Sequence, residues 1–220
     1  MARKKLAVLI SGRGSNMQAL IDAARTPDYP AEVAIVIANV PGAAGLSRAA
    51  EAGVPVMTID HRRFGKGADG KQLFEAALHR ALEEAGVDIV CLAGFMRLFS
   101  AEFVRRWYGR LVNIHPSLLP AFKGLDVHAA MLAAGVKIAG CTVHYVSAEM
   151  DAGPIIGQAA APVLADDTAE TLAARILAAE HRLYPECVRR VALGAAPIVN
   201  GVVALAGEAG GGLLLNPPPR

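Results

Sequence analysis

The stretch LAVLISGRGSN, residues 6–16, begins with five apolar residues and then changes to a polar loop with two glycines. The run Leu6–Ile10 has the length of a strand and no polar interruption, which indicates a strand buried on both faces. A pattern of helical period follows the loop to about Arg25. A strand, a glycine loop and a helix in this order predict the first unit of an α/β sheet.

Two more apolar runs extend this unit toward residue 60. Val33–Ala38 reads as a second buried strand, Gly45–Ala52 as a helix that ends at Gly53, and Val54–Ile59 as a third strand. The first sixty residues therefore read β-α-β-α-β. This order favours a parallel sheet with right-handed crossovers.

The alternation of helices and strands continues to about residue 110. A polar, glycine-rich loop is predicted at His61–Gly70, a helix at Lys71–Gly86 and a fourth strand at Val87–Ala93. Ser100 is the expected N-cap of a helix that runs through Tyr108, because its hydroxyl can accept from the first free N–H groups.

A second informative stretch is LVNIHPSLLPAFKG, residues 111–124, which starts as an apolar strand and breaks at Pro116. A residue before proline is held extended, so His115 should continue the strand. Asn113 lies two residues earlier, and its side chain should point to the same face. From composition alone, two readings are equally supported: polar groups that cap a strand end, or a functional pair.

The chain beyond residue 124 predicts a short helix, an alternating antiparallel or half-exposed strand, a loop, another strand, a long helix irregular at Pro185, and an Asn-Gly hairpin. In order, these are His128–Ala134, Ala139–Val146, Ala148–Gly153, Ile155–Val163, Thr168 to about Leu193, and Ile198–Val203.

We predict one α/β domain over residues 1–220, with a Rossmann-like, mostly parallel central sheet and helices on both faces. The C-terminal part should add antiparallel strands and the long helix. Two subregions are expected, about 1–110 and about 111–195, and residues 207–220 are expected to form a flexible tail.

Composition excludes several classes of protein. The 220 residues carry 22 basic and 20 acidic side chains, a balance that argues against a nucleic-acid binder. No charge-free apolar run is long enough to span a membrane, and the run Leu6–Ile10 after the basic N-terminus is too short for a signal-peptide core, so a cytoplasmic location is expected. Cys91, Cys141 and Cys187 lie far apart without zinc-ligand spacing, and we expect the first two in the core and no bound metal.

Three polar features could carry chemistry. The loop SGRGSN precedes a helix N-terminus, where free backbone N–H groups bind phosphate, and Ser15 and Asn16 add side-chain groups. It matches no nucleotide-binding fingerprint, so an ordinary βα turn is the alternative. Asp151 is either a turn aspartate or a functional carboxylate, and His144 either a hydrogen-bonded strand histidine or a site residue.

Five segments together carry a family resemblance: ISGRGSN, VCLAGFMRLFS, LVNIHPSLLPAFKG, GCTVHYVSAEMDAGPII and AEHRLYP. In this order and spacing, from about residue 6 to about residue 190, the chain resembles the phosphoribosylglycinamide formyltransferases, folate-dependent enzymes of purine synthesis. The motif NIHPSLLP also occurs in methionyl-tRNA formyltransferases and formyltetrahydrofolate hydrolases. An ISGRGSN loop near the start, without a preceding regulatory domain or a following tRNA-binding domain, favours the first family.

The resemblance implies transfer of the formyl group of 10-formyltetrahydrofolate to the amine of glycinamide ribonucleotide. The amine would attack directly through a tetrahedral intermediate, with Asn113, His115 and Asp151 as the catalytic group and without a metal. The expected partners are these two small molecules, with no nucleic acid and no membrane, and the expected state is a monomer or homodimer. Two alternatives remain: a formyltetrahydrofolate hydrolase that uses the same three residues, and a non-catalytic nucleotide-binding module.

The resemblance also implies two binding regions. The ribonucleotide would be held by Gly14, Ser15, Asn16 and Glu180. The folate would be held by Lys71, Met96, Arg97, Leu98, Phe99, Asn113 and Val146.

Overall fold

The computed structural model describes residues 2–204, and the predicted tail at 207–220 lies outside them. The strands are β1 Lys4–Ile10, β2 Ala31–Ala38, β3 Val56–Thr58, β4 Ile89–Leu92, β5 Leu111–His115, β6 Ile138–Tyr145, β7 Ile155–Pro162, β8 Ile198–Val199 and β9 Val202–Val203. The helices are α1 Ser15–Ala24, α2 Ala44–Glu51, α3 Gly67–Glu84, α4 Ala101–Arg106, α5 Val127–Ala133 and α6 Ala169–Ala192, with a 3₁₀-helix at His61–Phe64.

The central sheet has seven strands in the order β3-β2-β1-β4-β5-β6-β7. The first five strands pair in parallel, and β6 and β7 pair antiparallel. Strands β8 and β9 form the predicted hairpin around Asn200-Gly201. The predicted fold class, a mostly parallel sheet with an antiparallel addition and a long C-terminal helix, is confirmed.

Helices cover both faces of the sheet because β1 is apolar on both. Leu6, Val8 and Ile10 belong to one buried cluster, which includes side chains of α1, α5 and α6. Ala7 and Leu9 point to a second cluster, formed with α3 and α4. An uninterrupted apolar strand therefore lies in the middle of three layers, as its sequence predicted.

The prediction of a loop over His61–Gly70 is wrong for most of its length. The 3₁₀-helix occupies its first half, and α3 begins at Gly67 rather than at Lys71. One of its glycines serves close packing, since a Cβ on Gly70 would lie 2.5 Å from the carbonyl oxygen of Gly65. The other two, Gly65 and Gly67, have positive φ angles of 86° and 77° and form the turn between the two helices.

The prediction for β6 is confirmed in its antiparallel pairing and wrong in its alternative of a half-exposed strand. Every residue from Ala139 to Tyr145 is buried. The polar members of the strand, Thr142 and His144, are buried with hydrogen-bond partners instead of facing water. Alternation along this strand therefore reflects a polar cluster inside the protein.

Helix ends follow the predicted caps with small shifts. Ser100 accepts from the Phe103 N–H at 3.1 Å, although α4 ends at Arg106 instead of Tyr108. Thr168 caps α6 in a reciprocal capping box with Thr171, and the helix continues through Pro185. The third strand is shorter than predicted, since β3 covers only 56–58 at the exposed edge of the sheet.

Candidate active site

The carboxyl ends of the parallel strands bring two of the sequence segments together. Strand β1 lies between β2 and β4. The chain leaves β1 toward β2 and leaves β4 toward β5, so the loops after these two adjacent strands run in opposite directions, and this position is the switch point of the sheet. Open α/β sheets bind ligands in the crevice at such a point. The loop at 11–14 and the segment at 93–99 both begin here, and the Ser11 N–H donates to the Gly94 carbonyl at 3.0 Å.

The loop after β1 ends at Gly14, which precedes α1 in the left-handed conformation with φ 72°. A Cβ at this position would lie 2.9 Å from the Cα of Gly45, so only glycine fits. No side chain caps the helix and its first turn carries no acidic residue. The first N–H groups of α1 are therefore available to an anion, in a position that the helix dipole makes favourable.

Asn16 and Glu180 join this helix end to α6. The Asn16 Nδ2 donates to Glu180 Oε2 at 2.6 Å. Burial raises the pKa of the Glu180 carboxyl above its ordinary 4.5, and the bond from Asn16 partly opposes the rise. The Asn16 Oδ1 is buried and has no partner within residues 2–204, so it is open to a ligand donor.

Strand β5 presents Leu111, Asn113 and His115 on one face, as its period of two requires. Leu111 packs in the cluster formed with α3 and α4. Asn113 pairs in register with His144 of β6, and its Nδ2 lies 3.2 Å from His144 Nε2. The expectation that Asn113 and His115 share a face is confirmed: Asn113 contacts His144, His115 faces Asp151, and Asp151 lies close to His144 as well.

The tautomer of His144 follows from its contacts. Its Nδ1 lies 2.9 Å from the Tyr145 carbonyl oxygen and therefore carries the proton. Nε2 is then the acceptor for the Asn113 amide. Burial lowers the pKa of His144 below 6.5, which keeps the imidazole neutral in this role.

His115 is buried at the end of β5 with both ring nitrogens directed at oxygen atoms. Nε2 donates to the Phe122 carbonyl at 2.9 Å, which also accepts from the Ser117 hydroxyl at 2.9 Å. Nδ1 faces Asp151 Oδ2 at 3.5 Å. The turn after Pro116 thus fixes one nitrogen and leaves the other opposite a carboxylate.

Asp151 reaches this point from the loop between β6 and β7, 36 residues after His115 in the printed sequence. Its φ of 50° places it in the left-handed region, and Oδ2 accepts from the Gly124 N–H at 2.9 Å. Oδ1 lies 3.8 Å from His144 Nε2. One carboxylate therefore faces both histidines, and an amide donor and a proton carrier lie on the adjacent strand. This arrangement suits acyl transfer.

The segment 96–99 follows β4 with mixed exposure. Met96 and Leu98 are exposed, and the Arg97 guanidinium carbon lies 5.4 Å from the centre of the Phe74 ring. Phe99 is buried and stacks on Phe103 at 4.3 Å.

The two remaining folate candidates lie on separate elements. Lys71 is half-buried in the second turn of α3, and its ammonium has no hydrogen bond or ion pair within the described residues. Val146 follows β6 and its N–H donates to the Leu111 carbonyl at 2.9 Å.

Two classes of feature are absent from residues 2–204. They contain no group of three or more His, Cys, Asp or Glu side chains that could hold a metal ion. None of their helices is long and apolar enough to cross a membrane.

Comparison with known proteins decides the family. A family model described as formyl transferase matches residues 4–188. The chain belongs to the formyl transferase family.

Members of this family resemble the chain in sequence and in structure. A phosphoribosylglycinamide formyltransferase of Haemophilus influenzae is 36% identical over 206 residues, 94% of this chain and 95% of that protein. The crystal structure of glycinamide ribonucleotide transformylase 1 from Symbiobacterium toebii has a TM-score of 0.88 and 47% identity, and the match covers 93% of this chain and 95% of that one.

Longer relatives match the chain over only part of their length. The trifunctional purine biosynthetic protein adenosine-3 of Gallus gallus is 48% identical over 194 residues, which are 88% of this chain and 19% of that protein. The chain spans between 14% and 19% of the length of the trifunctional relatives that it matches.

The sequence does not assign three polar residues that lie at this candidate site. It leaves His144 open between a hydrogen-bonded strand histidine and a site residue, although its spacing of two from Thr142 on β6 is a signal. Nothing in the local sequence marks Ser11 and Asn39, whose side chains hydrogen-bond to each other at 2.6 Å. Only the strand order brings these two together, because both follow strands that are neighbours in the sheet.

Proposed function

We propose that this chain transfers the formyl group of 10-formyltetrahydrofolate to the amine of glycinamide ribonucleotide, in the cytoplasm. The observation that carries the proposal is the convergence of Asn113, His115 and Asp151 around His144. The Asn113 amide donates to His144 Nε2, and the Asp151 carboxylate lies 3.5 Å from His115 Nδ1 and 3.8 Å from His144 Nε2. The names of the formyl transferase relatives supply the acceptor and favour transfer over hydrolysis.

The first step is attack of the substrate amine on the formyl carbon, which places a negative charge on the formyl oxygen. The Asn113 amide has two N–H groups, of which His144 accepts one. The other has no acceptor within residues 2–204, and we assign it to the developing oxyanion. A preorganised donor of this kind contributes about 10²–10³ in rate.

Proton transfer falls to His115 and Asp151. Because His115 Nε2 is bonded to the Phe122 carbonyl, Nδ1 is the nitrogen that we assign to the reacting atoms. The Asp151 carboxylate accepts the proton that the attacking amine loses, and His115 Nδ1 delivers a proton to the departing folate nitrogen. The proton on Asp151 then passes to Nδ1, which lies 3.5 Å from Oδ2, and restores the starting state. A positioned acid or base contributes about 10²–10⁴ in rate.

Binding uses the two segments at the switch point. The ribonucleotide phosphate lies at the N–H groups of Gly14, Ser15 and Asn16, and Glu180 accepts from the ribose hydroxyls. The folate runs along 96–99. Lys71 pairs with its glutamate tail, and the loop from Val146 to Asp151 covers the pteridine. No catalytic step requires a metal.

The chain is proposed to act as one domain, in two subregions of about 1–110 and about 111–195, as a monomer or homodimer. Sedimentation of the pure protein measures the oligomeric state. A larger assembly would contradict this part of the proposal without bearing on the chemistry.

The deciding experiment follows formyl loss from 10-formyltetrahydrofolate with and without glycinamide ribonucleotide. We expect formylated ribonucleotide as the product and little formate in its absence. Formate released equally fast without the ribonucleotide would instead identify a hydrolase. A wild-type protein that binds the ribonucleotide and consumes no formyl folate would be a binding module.

A further inference from the structure

A row of side-chain hydrogen bonds crosses the carboxyl edge of the four parallel strands β3, β2, β1 and β4. His61, Asn39, Ser11 and Met96 follow these strands in that spatial order. His61 Nδ1 donates to the Asn39 carbonyl at 2.8 Å, and the Ser11 hydroxyl donates to Asn39 Oδ1 at 2.6 Å. The Met96 N–H donates to the Ser11 hydroxyl oxygen at 2.8 Å.

Ser11 is the central member of this row. A hydroxyl has one proton and two lone pairs, so it can donate to Asn39 and accept from Met96 at the same time. Asn39 is 2% exposed, and its side chain cannot turn to water as a substitute partner. The Ser11 oxygen is therefore fixed in position, and it fixes the Met96 amide in turn.

The bond between the Met96 N–H and the Ser11 hydroxyl joins the two proposed binding regions. Ser11 lies three positions before Gly14, in the loop that the proposed function assigns to the ribonucleotide. Met96 opens the segment assigned to the folate. The hydroxyl therefore joins the two proposed binding regions at Met96, two residues beyond the backbone bond to Gly94, and a transfer reaction depends on how these regions are spaced.

We propose that Ser11, held by Asn39, is a positioning residue that orders the 96–99 segment for the formyl donor. The inference rests on the proposed function and deepens it, because it assigns donor binding to a residue of the ribonucleotide loop. Asn39 is its support from β2.

The variant Ser11→Ala isolates the hydroxyl. The backbone bond from the Ser11 N–H to the Gly94 carbonyl remains, so the loop keeps its main-chain anchor. We expect the KM for 10-formyltetrahydrofolate at saturating ribonucleotide to rise about tenfold, the effect of one lost hydrogen bond to a fixed partner. Turnover should fall less than KM rises, because the reacting groups on β5 are untouched.

A direct readout accompanies the kinetics. Exchange of the Met96 amide hydrogen, followed by NMR, should be faster in Ser11→Ala than in the wild type. Ser11→Thr keeps the hydroxyl and should restore both slow exchange and donor affinity. Asn39→Ala acts on the same hydroxyl from the other side and should raise the same KM. Ser47→Ala, an exposed serine on α2, is the matched control and should change neither.

Failure of this inference is separable from failure of the proposed function. Tetrahydrofolate binding and formyl transfer are first measured on the wild type, and their absence would contradict the proposed function. If the wild type is active but Ser11→Ala binds tetrahydrofolate within twofold of it, the positioning role is wrong. A Ser11→Thr protein with slow Met96 exchange and the weak donor affinity of Ser11→Ala would also overturn it.

Discussion

Asn16 Nδ2 donates a 2.6 Å hydrogen bond to Glu180 Oε2, and this bond ties the first turn of α1 to the middle of α6. The two residues are 164 positions apart in the sequence, so the bond joins distant parts of the chain at one end of the proposed ribonucleotide region. Burial raises the pKa of the Glu180 carboxyl, which means that the folded protein holds its charge at a cost. Because burial of the Glu180 carboxylate does not stabilise the fold, a role in ligand binding explains its position better than a structural role does.

Glu180→Gln should therefore stabilise the free protein above about pH 5. A carboxyl whose folded-state pKa is raised favours folding below its ordinary value of 4.5, and that contribution is lost as the pH rises through the folded-state pKa. Glutamine can still accept from Asn16 and carries no charge. Thermal unfolding between pH 4 and pH 8 should show a gain that grows with pH, together with weaker ribonucleotide binding. Glu186→Gln, at an exposed ion pair on the same helix, is the control, and equal pH profiles in both variants would contradict the argument.

Replacement of His115 tests the chemical step. His115→Ala should lower kcat by at least about two orders of magnitude, because it removes the positioned proton carrier opposite Asp151. Tetrahydrofolate and ribonucleotide affinities should change far less. His79→Ala, on α3 beside Trp107, controls for loss of an imidazole elsewhere. Turnover of His115→Ala within a few-fold of wild type would remove this residue from the mechanism.

Protonation of the buried His144 should make the stability of the folded protein depend on pH. Burial lowers the pKa of His144, so the unfolded chain takes up this proton before the folded chain as the pH falls below 6.5. The unfolding free energy of the wild type should therefore decrease below pH 6.5, and His144→Gln should reduce that slope. Turnover of the variant should fall only a few-fold, because the glutamine oxygen can still accept from the Asn113 amide in place of Nε2.

Chemical denaturation at pH 5, 6 and 7 measures this slope, with His79→Gln as the control. The stability difference between wild type and His144→Gln should shrink as the pH falls. A stability difference that stays constant from pH 5 to pH 7 would show that the pKa of His144 is the same in the folded and unfolded states.

The sequence was sufficient where local pattern determines structure. Leu6–Ile10 is apolar at every position and became a strand buried on both faces, and the same-face placement of Asn113 and His115 follows from a period of two. The start of α3 escaped prediction because Gly70 serves close packing with Gly65, which depends on a contact rather than on local preference.

The site was predictable only in part for a related reason. Residue chemistry marked Asn113 and His115, but the approach of Asp151 depends on how the loop after β6 folds back, and the residue was assigned only through family resemblance. The Ser11–Asn39 bond requires the strand order, which places the ends of β1 and β2 side by side. Contacts of this kind depend on the assembled sheet.

A charge at the N-terminus of α1 tests the anion site without weakening the fold. Ser15→Asp places a carboxylate in the first turn of the helix, where the dipole favours it by about 0.3–1 kcal/mol, so thermal stability should be kept or slightly raised. Ribonucleotide binding should weaken at least tenfold, because two like charges about 4 Å apart near a protein surface repel by a few kcal/mol. Ser15→Asn is the neutral control of similar size. Calorimetry with glycinamide ribonucleotide and with tetrahydrofolate separates the two sites: an equal loss of both ligands, or none in Ser15→Asp beyond that in Ser15→Asn, would show that the phosphate lies elsewhere.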